Sequence, residues 1–292
     1  MGIKAPLAAK ISECRDRVAA ARRAGRRIGF VPTMGGLHEG HLSLVDRARA
    51  AAEWVVLSVF VNPLQFGPAE DYVGYPRDLE RDRELAGARG ADLVFAPTPE
   101  EMLPAPPLTR VTMREVTEGW EGAARPGHFD GVLTIVAKLF HIVQPDVAVF
   151  GQKDAQQAAA VRQMVADLDF PVEILVVPTV REEGGLACSS RNAYLSTDER
   201  RRANGLYSAL LRARSLAEGG ETDPRRIEAA ICDALAKEPQ IELEYAAVLD
   251  PDRFRPIERL DGPAIAAIAA RVGRTRLIDN IVLFQEAGSD GR

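Results

Sequence analysis

The chain is short of the residues that build disulfides, metal cages and basic surfaces. Its 292 residues include three cysteines and four histidines. Cys14, Cys188 and Cys232 lie far apart and form no Cys-x-x-Cys pair. That excludes a disulfide scaffold and a closed cysteine-rich zinc site, and it is the usage of a reducing compartment. No stretch approaches the roughly 18 apolar residues that a membrane span needs. The first ten residues hold a short apolar patch, without a long apolar run or a convincing small-residue cleavage site. A cytoplasmic protein with no membrane partner is therefore expected. Lysine is scarce as well: Lys4, Lys10, Lys138, Lys153 and Lys237 are five of 37 basic residues. The formal net charge of −5 argues against a broad nucleic-acid surface, and most of the arginines are expected on solvated helix faces. Hydrophobic residues make up 46% of the chain, enough core for one large domain or two moderate ones.

What is present is an alternation. Apolar runs at 28–31, 54–61, 92–96, 146–150 and 172–177 are separated by helical patterns at 10–24, 41–52, 77–89, 132–143 and 155–167. Such alternation predicts a parallel sheet with right-handed crossovers, with ligands bound beyond the carboxyl ends of its strands. After about residue 180 the pattern changes. Ser196 with Glu199 forms a capping box opening a helix to about Ala217, and Asp223-Pro224 opens another to Ala236. Apolar strands follow at 241–249, 264–272 and 275–284. The expected fold class is α/β: a Rossmann-like, parallel-sheet nucleotide-binding domain over 1–180, then a smaller α+β lid domain over 181–292. Residues 97–107 read as a surface loop and 287–292 as a frayed end.

Two of the four histidines fall in residues 27–41, Arg-Ile-Gly-Phe-Val-Pro-Thr-Met-Gly-Gly-Leu-His-Glu-Gly-His. A strand, a turn at Gly35 and Gly36, and a helix start bearing His38 and His41 make an anion site. The first-turn N–H groups are unpaired and the helix dipole favours negative charge there. Ordinary structural histidines and metal chelation remain as plainer readings. The zinc-protease pattern, however, spaces its histidines one residue further apart. Other segments follow strands too. Asn62 and Gln65 suit hydroxyl or carboxylate binding, or simply a turn. Gly151 permits close backbone approach, Lys153 supplies a cation, and Asp154 is a helix cap if nothing more. Ser189, Ser190 and Arg191 form a credible phosphate clamp, though such tripeptides are common in loops. His128, between Gly127 and Gly131, reads as catalytic, capping or packing.

His-Glu-Gly-His resembles the H-x-G-H signature of the nucleotidyltransferase-like α/β superfamily. More specific is an ordered series from residue 31 to 280: Val-Pro-Thr-Met-Gly-x-Leu-His-x-Gly-His, Asn-Pro-x-Gln-Phe, Tyr-Pro-Arg, Arg-Pro-x-His-Phe-x-Gly-Val, Gly-x-Lys-Asp-x-Gln-Gln, Pro-Thr-x-Arg-Glu, Ser-Ser-Arg-Asn and Thr-Arg-Leu-Ile-Asp-Asn. That series resembles the pantoate–β-alanine ligase (pantothenate synthetase) family over nearly the whole chain.

The resemblance implies an AMP-forming amide ligase. Pantoate's carboxylate attacks the α-phosphorus of ATP, pyrophosphate leaves, and the amine of β-alanine then attacks a bound pantoyl adenylate. It implies His38, His41, Lys153 and Arg191 as catalytic groups. Pro32, Thr33, Met34, Gly40, Gly151, Asp154, Val180, Cys188, Ser189 and Ser190 would join them around ATP. In detail, Asp154 meets the ribose, Val180 lies near the adenine, and Ser189 to Arg191 hold the β and γ phosphates. For pantoate it implies Met34, Asn62, Gln65, Arg125 and Gln157, with Val132, Ile135 and Val136 against the gem-dimethyl group. Mg²⁺ would ride on the ATP phosphates without a dedicated protein site, and the family is usually a homodimer. Cys188, Gln152 and Gly36 depart from the family's usual methionine, glutamate and alanine. Taken alone, H-x-G-H also allows a nucleotidylyltransferase that stops at its adenylylated product. A nucleotide-binding regulatory module is the non-catalytic alternative.

Overall fold

A computed structural model of the chain describes residues 4–67, 72–238 and 240–284. In chain order its elements are β1 (Leu7–Ala8), α1 (Ile11–Arg23), β2 (Ile28–Thr33), α2 (Glu39–Ala51), β3 (Trp54–Val59), α3 (Leu79–Ala88), β4 (Leu93–Phe95), α4 (Pro99–Met102), α5 (Glu121–Ala124), α6 (His128–Val143), β5 (Val147–Gly151), α7 (Ala155–Asp167), β6 (Glu173–Val177), α8 (Thr197–Glu218), α9 (Pro224–Leu235), β7 (Ile241–Leu249), β8 (Ala264–Val272) and β9 (Thr275–Phe284). The first six strands form one parallel sheet in the order β1-β4-β3-β2-β5-β6. The last three form an antiparallel sheet.

β2 is central, paired from Ile28↔Trp54 to Thr33↔Val59 on one side and at Gly29↔Val147 on the other. Its period of two sends Ile28 and Phe30 into a core with α1, α6 and α7. Val31 points the other way, into a core with α2 and α3. Helix α2 lies close over β2: a Cβ on Gly29 would stand 3.1 Å from the Cβ of Ala52 and 3.3 Å from the carbonyl of Ala48. Strand order reverses between β2 and β5, which opens a crevice at their carboxyl ends. The turns at 34–41 and 151–154 both enter that crevice.

The unbroken apolar run at 264–270 has a structural reason. Ile265 and Ala267 belong to the core shared with α7. Ala264, Ala266, Ile268, Ala270 and Val272 pack under α8 and α9. A strand covered on both faces has no polar face to alternate with, and here it wedges the antiparallel sheet against the first unit.

Several boundaries differ from the sequence expectation. Helix α2 begins at Glu39 and not at His41, which makes His38 its N-cap. α6 begins at His128, four residues early, because Gly127 at φ +79° turns the chain into it. β3 stops at Val59 because Pro63 starts a single 3₁₀ turn capped by Asn62. The proline-rich loop contains α4, capped by Thr98. β1 and α5 are too short to leave a periodic signal. The expected frayed end, 287–292, lies outside the described residues. Among the described residues no helix is long and apolar enough to cross a membrane.

Candidate active site

The turn after β2 is built from within and from a distance. Thr33 Oγ1 donates to the carbonyl of Ser58 (2.6 Å) and accepts from the Gly35 N–H (3.2 Å). Gly35 has φ +85°, and a Cβ there would meet Val59 Cγ1 at 2.8 Å and Asp82 Oδ2 at 2.9 Å. Conformation and space both require glycine. Asp82, buried on α3, accepts from the N–H groups of Gly36 (3.0 Å) and Leu37 (2.8 Å). Burial pushes its carboxyl above the usual range, opposed by those two donors. Gly36 has φ +62°, so this departure from the family's alanine suits the backbone.

His38 folds back on its own helix. Its Nδ1 accepts the Gly40 N–H at 3.1 Å, which leaves the proton on Nε2. The rings of His38 and His41 lie 4.1 Å apart, centroid to centroid, at 33°. A Cβ on Gly40 would stand 2.9 Å from His38 Cε1 and 3.0 Å from Nδ1. This is why glycine stands between the two histidines. His41 Nδ1 is sealed from solvent and has no hydrogen-bond partner among the described residues. Burial, then Lys153, lowers the pKa of His38 to about 4; burial, then His38, lowers that of His41 to about 3. At neutral pH the pair offers neutral donors. The positive charge stands beside them, on Lys153.

Lys153 lies in a single turn, Gln152–Asp154, between β5 and α7. Asp154 holds the N-cap position of α7, yet its side chain makes no capping bond. Its carboxylate opens into a crevice walled by protein. Burial would raise its pKa, but Lys153, Arg191, His41 and His128 outweigh that and hold it below the usual carboxylate range. A structural cap is thus not what this aspartate does.

Beside the turn at 33–41 lies a half-apolar pocket. Val132, Ile135 and Val136, one face of α6, form its wall. Asn62 is 2% exposed and saturated: Nδ2 donates to Gln65 Oε1 (2.9 Å) and the Gly131 carbonyl (3.0 Å), and Oδ1 accepts from the Leu64 N–H (3.0 Å). It therefore sets Gln65 and does not reach out itself. Gln65 Nε2 donates to Met34 Sδ at 3.0 Å. A Cβ on Gly131 would fall 2.2 Å from the Leu64 carbonyl, so this glycine lets α6 approach the turn. His128 bridges two site segments, with Nε2 on Arg125 Nη1 (3.0 Å) and Nδ1 on the Gln65 carbonyl (2.9 Å). The arginine donates only, which puts the proton on Nδ1. Of the adjacent glutamines, Gln156 binds Val116 and Gly119 carbonyls and the Glu121 N–H, while Gln157 faces the cavity with no partner among the described residues.

The fourth side is the 178–191 segment. The Cys188 N–H donates to the Val180 carbonyl at 2.9 Å. Ser189 caps a 3₁₀ turn by accepting the Arg191 N–H (3.2 Å), and Ser190 Oγ donates to the Tyr75 hydroxyl (3.3 Å).

All these segments line one cavity of about 210 Å³. Pro32, Thr33, Met34, His38, Gly40, His41, Asn62, Gln65, Arg125, Val132, Ile135, Val136, Gly151, Lys153, Asp154, Gln157, Val180, Cys188, Ser189, Ser190 and Arg191 all stand on its wall. The cavity shares Gln65, Arg125, His128, Lys153, Asp154, Ser189 and Arg191 with a larger outer cleft of about 1440 Å³. Tyr75, Phe60, Leu139, Phe150, Pro178 and Thr179 also line the cavity without having been singled out as site residues. Pro178 and Thr179 follow β6 and open the Pro-Thr-x-Arg-Glu segment, and Tyr75 opens Tyr-Pro-Arg; those were the signals that pointed to them.

Fold and site together define an α/β protein with an anion-binding turn at a strand end and a half-apolar pocket beside it. The profile of the family described as pantoate-beta-alanine ligase matches residues 7–282. The pantothenate synthetase of Moorella thermoacetica is 53% identical, covering 94% of this chain and 96% of its own length. The crystal structure of pantothenate synthetase from Thermus thermophilus superposes with a TM-score of 0.91 at 50% identity, over 96% of this chain and all of the other. That of the Francisella tularensis ligase, complexed with beta-gamma ATP and beta-alanine, gives a TM-score of 0.79 at 32% identity, over 96% and 98% of the two chains. The chain belongs to the pantoate-β-alanine ligase family.

Proposed function

We infer that this chain joins pantoate to β-alanine at the expense of ATP, through a bound pantoyl adenylate, releasing pyrophosphate and AMP. One observation carries the reading: a phosphate turn and a half-apolar pocket for a branched hydroxy acid open into one cavity and meet at Met34 and Gln65. In the first step pantoate's carboxylate oxygen bonds to the α-phosphorus and the bond to the pyrophosphate oxygen breaks. Charge grows on the α-phosphoryl oxygens. The His38 and His41 N–H groups donate there, and Lys153 adds a cation. Asp154, free of capping duty, takes the ribose, and the Val180 segment takes the adenine. Ser189, Ser190 and Arg191 hold the β and γ phosphates. Gln65 and Gln157 hold pantoate's oxygens, set by Asn62 and Arg125, with its methyl groups on the Val132–Ile135–Val136 wall. No protein nucleophile is required; positioning and charge stabilisation do the chemistry.

Mg²⁺ fits as a companion of ATP. Mg²⁺ binds readily through phosphates and retained waters, so it would ride on ATP. When bound it neutralises phosphate charge. Residues 1–180 serve as the ATP- and pantoate-binding domain and 181–292 as the lid, because phosphate ligands come from both. We read the protein as cytoplasmic from its cysteine usage and as a homodimer on the strength of the family resemblance.

The test is pyrophosphate release from Mg·ATP and pantoate, with AMP followed alongside. One pyrophosphate per site without amine, and turnover with AMP only when β-alanine is present, is the expected result. Free turnover with pantoate alone would instead indicate an enzyme that releases or hydrolyses its adenylate. ATP binding without any pyrophosphate would indicate a regulatory module.

A further inference from the structure

The turn that carries Lys153 and Asp154 is held from outside itself. Its natural cap, the Asp154 side chain, is withheld from the backbone. The turn is clasped instead by Asn280, at 4% exposure, midway along β9 in the other sheet. Asn280 Nδ2 donates to the carbonyls of Gln152 (2.9 Å) and Lys153 (3.0 Å), and Oδ1 accepts from Gln152 Nε2 (3.0 Å). Both amide hydrogens are thus given to the peptide units on which the lysine and the aspartate are mounted. The neighbouring residue acts on the opposite wall. Asp279 forms a two-pronged pair with Arg181 (2.6 and 3.0 Å), and Arg181 also binds the Asn280 carbonyl (3.2 Å) and lies 3.7 Å over the ring of Tyr207. Arg181 adjoins Val180 and spans to the Gly185 carbonyl (3.0 Å).

We propose that Asp279 and Asn280 are positioning residues for the adenylation step: Asn280 sets Lys153 and Asp154 through the 152–154 turn, and Asp279 sets the 180–188 segment through Arg181. Neither side chain lines the cavity where ATP would sit. Only an amide suits the first task, since it carries two donors and an acceptor on one short stem. The proposal rests on the ligase reading above, so the wild-type reaction is measured first.

The decisive experiment is a double-mutant cycle on pantoate-dependent pyrophosphate release. Lys153→Ala alone should lower the rate by roughly 10²–10³-fold, the scale of losing one preorganised charge-stabilising group. If Asn280 acts through Lys153, Asn280→Ala should lower the rate by roughly 10²-fold, as for a misplacement of about 1 Å. In the Asn280→Ala background, Lys153→Ala should then remove less than roughly tenfold more. KM for pantoate should change less than the rate, because Gln65 and the Val132–Ile135–Val136 wall do not rest on this turn and only Gln157, at the start of α7, adjoins it. A merely structural role gives losses that multiply, and that result overturns the proposal. Should Asn280→Ala not fold, Gln152→Ala removes one bond of the clasp at a half-buried position. The same cycle then expects coupling of at least about threefold, and losses that multiply overturn the proposal equally. An active wild type with uncoupled mutants defeats this inference alone; a wild type without pantoate-dependent pyrophosphate release defeats the ligase reading as well.

Discussion

The glycine inside His-Glu-Gly-His allows function and stability to be separated in one substitution. In Gly40→Ala the new methyl would stand 2.9 Å from His38 Cε1 and 3.0 Å from Nδ1, while Cys188 Cβ, at 3.5 Å, needs no adjustment. The imidazole must therefore swing away, and its 3.1 Å bond to the Gly40 N–H is lost. Losing an N-cap costs about 1 kcal/mol. Replacing glycine by alanine in a helix returns up to about 1 kcal/mol, less in the first turn. The two nearly cancel, and Tm should move by no more than roughly 2–4 °C for a chain of this size. Catalysis has no such compensation. A donor displaced by about 1 Å loses roughly 10²-fold, and the loss of a whole donor sets a ceiling of roughly 10³-fold. The assay is pantoate-dependent pyrophosphate release at saturating ATP, beside a thermal melt. His38→Ala in the Gly40→Ala background should add less than about threefold, since the ring is already out of place. Gly40→Ala turning over within about threefold of wild type would refute the reasoning. So would a further full loss on removing His38, because both results mean that the folded-back ring is not the working conformation.

Three more outcomes follow from the same site. Unfolded histidine takes a proton below about 6.5, whereas folded His38 and His41 resist until about 4 and 3. The unfolded state therefore binds more protons between those limits, and unfolding free energy falls as pH drops from 6.5 towards 4. Urea melts at pH 7, 6 and 5 should show that fall, made shallower by His41→Gln; an unchanged slope in the variant would exclude His41 as a source. Asp82→Asn offers one acceptor where two N–H groups converge. It should destabilise by about 1–3 kcal/mol and raise KM for ATP, and a variant with wild-type Tm and KM would remove Asp82 from the support of the turn. Gln157→Ala should raise KM for pantoate by roughly 5–15-fold, the scale of one lost hydrogen bond, without changing ATP binding measured in the absence of pantoate.

The sheet was legible because strand and helix periods alternate and the strands from β2 to β6 are mostly apolar. The site residues were legible because parallel sheets gather chemistry at strand ends, so that turns distant in sequence share one crevice. What could not be read was everything that depends on a side chain meeting the backbone of a remote turn. Asp82 serves a loop 45 residues earlier, and nothing in a charged helix marks one carboxylate as buried. Asn280 clasps a turn 128 residues away. Asn62 was expected to line the pantoate region; it stands on the cavity wall, but its amide is consumed in holding Gln65 and the Gly131 carbonyl. For Asp154 the sequence left capping and binding as equal alternatives. The absent capping bond removes the first of them, and that geometry has no sequence signature. His128 likewise turns out to bridge Arg125 and the Gln65 backbone.

Neutral histidines are the more selective choice for this chemistry. A pair of imidazolium groups would attract ATP, pyrophosphate and AMP alike, and binding that is uniform across ground and transition states does not raise turnover. A neutral N–H donor in a walled cavity gains strength as charge accumulates on the oxygen it faces, so its contribution grows toward the transition state. Burial is what keeps the pair neutral, and Lys153 reinforces it at His38 while His38 itself does so at His41. The same lysine supplies the permanent charge, and with Arg191 it keeps Asp154 ionised. The three ionisation states are therefore one coupled arrangement, which depends on where the 152–154 turn is held. Moving that turn would change the reach of the lysine and its hold on Asp154, so Asn280, outside the cavity, bears on both.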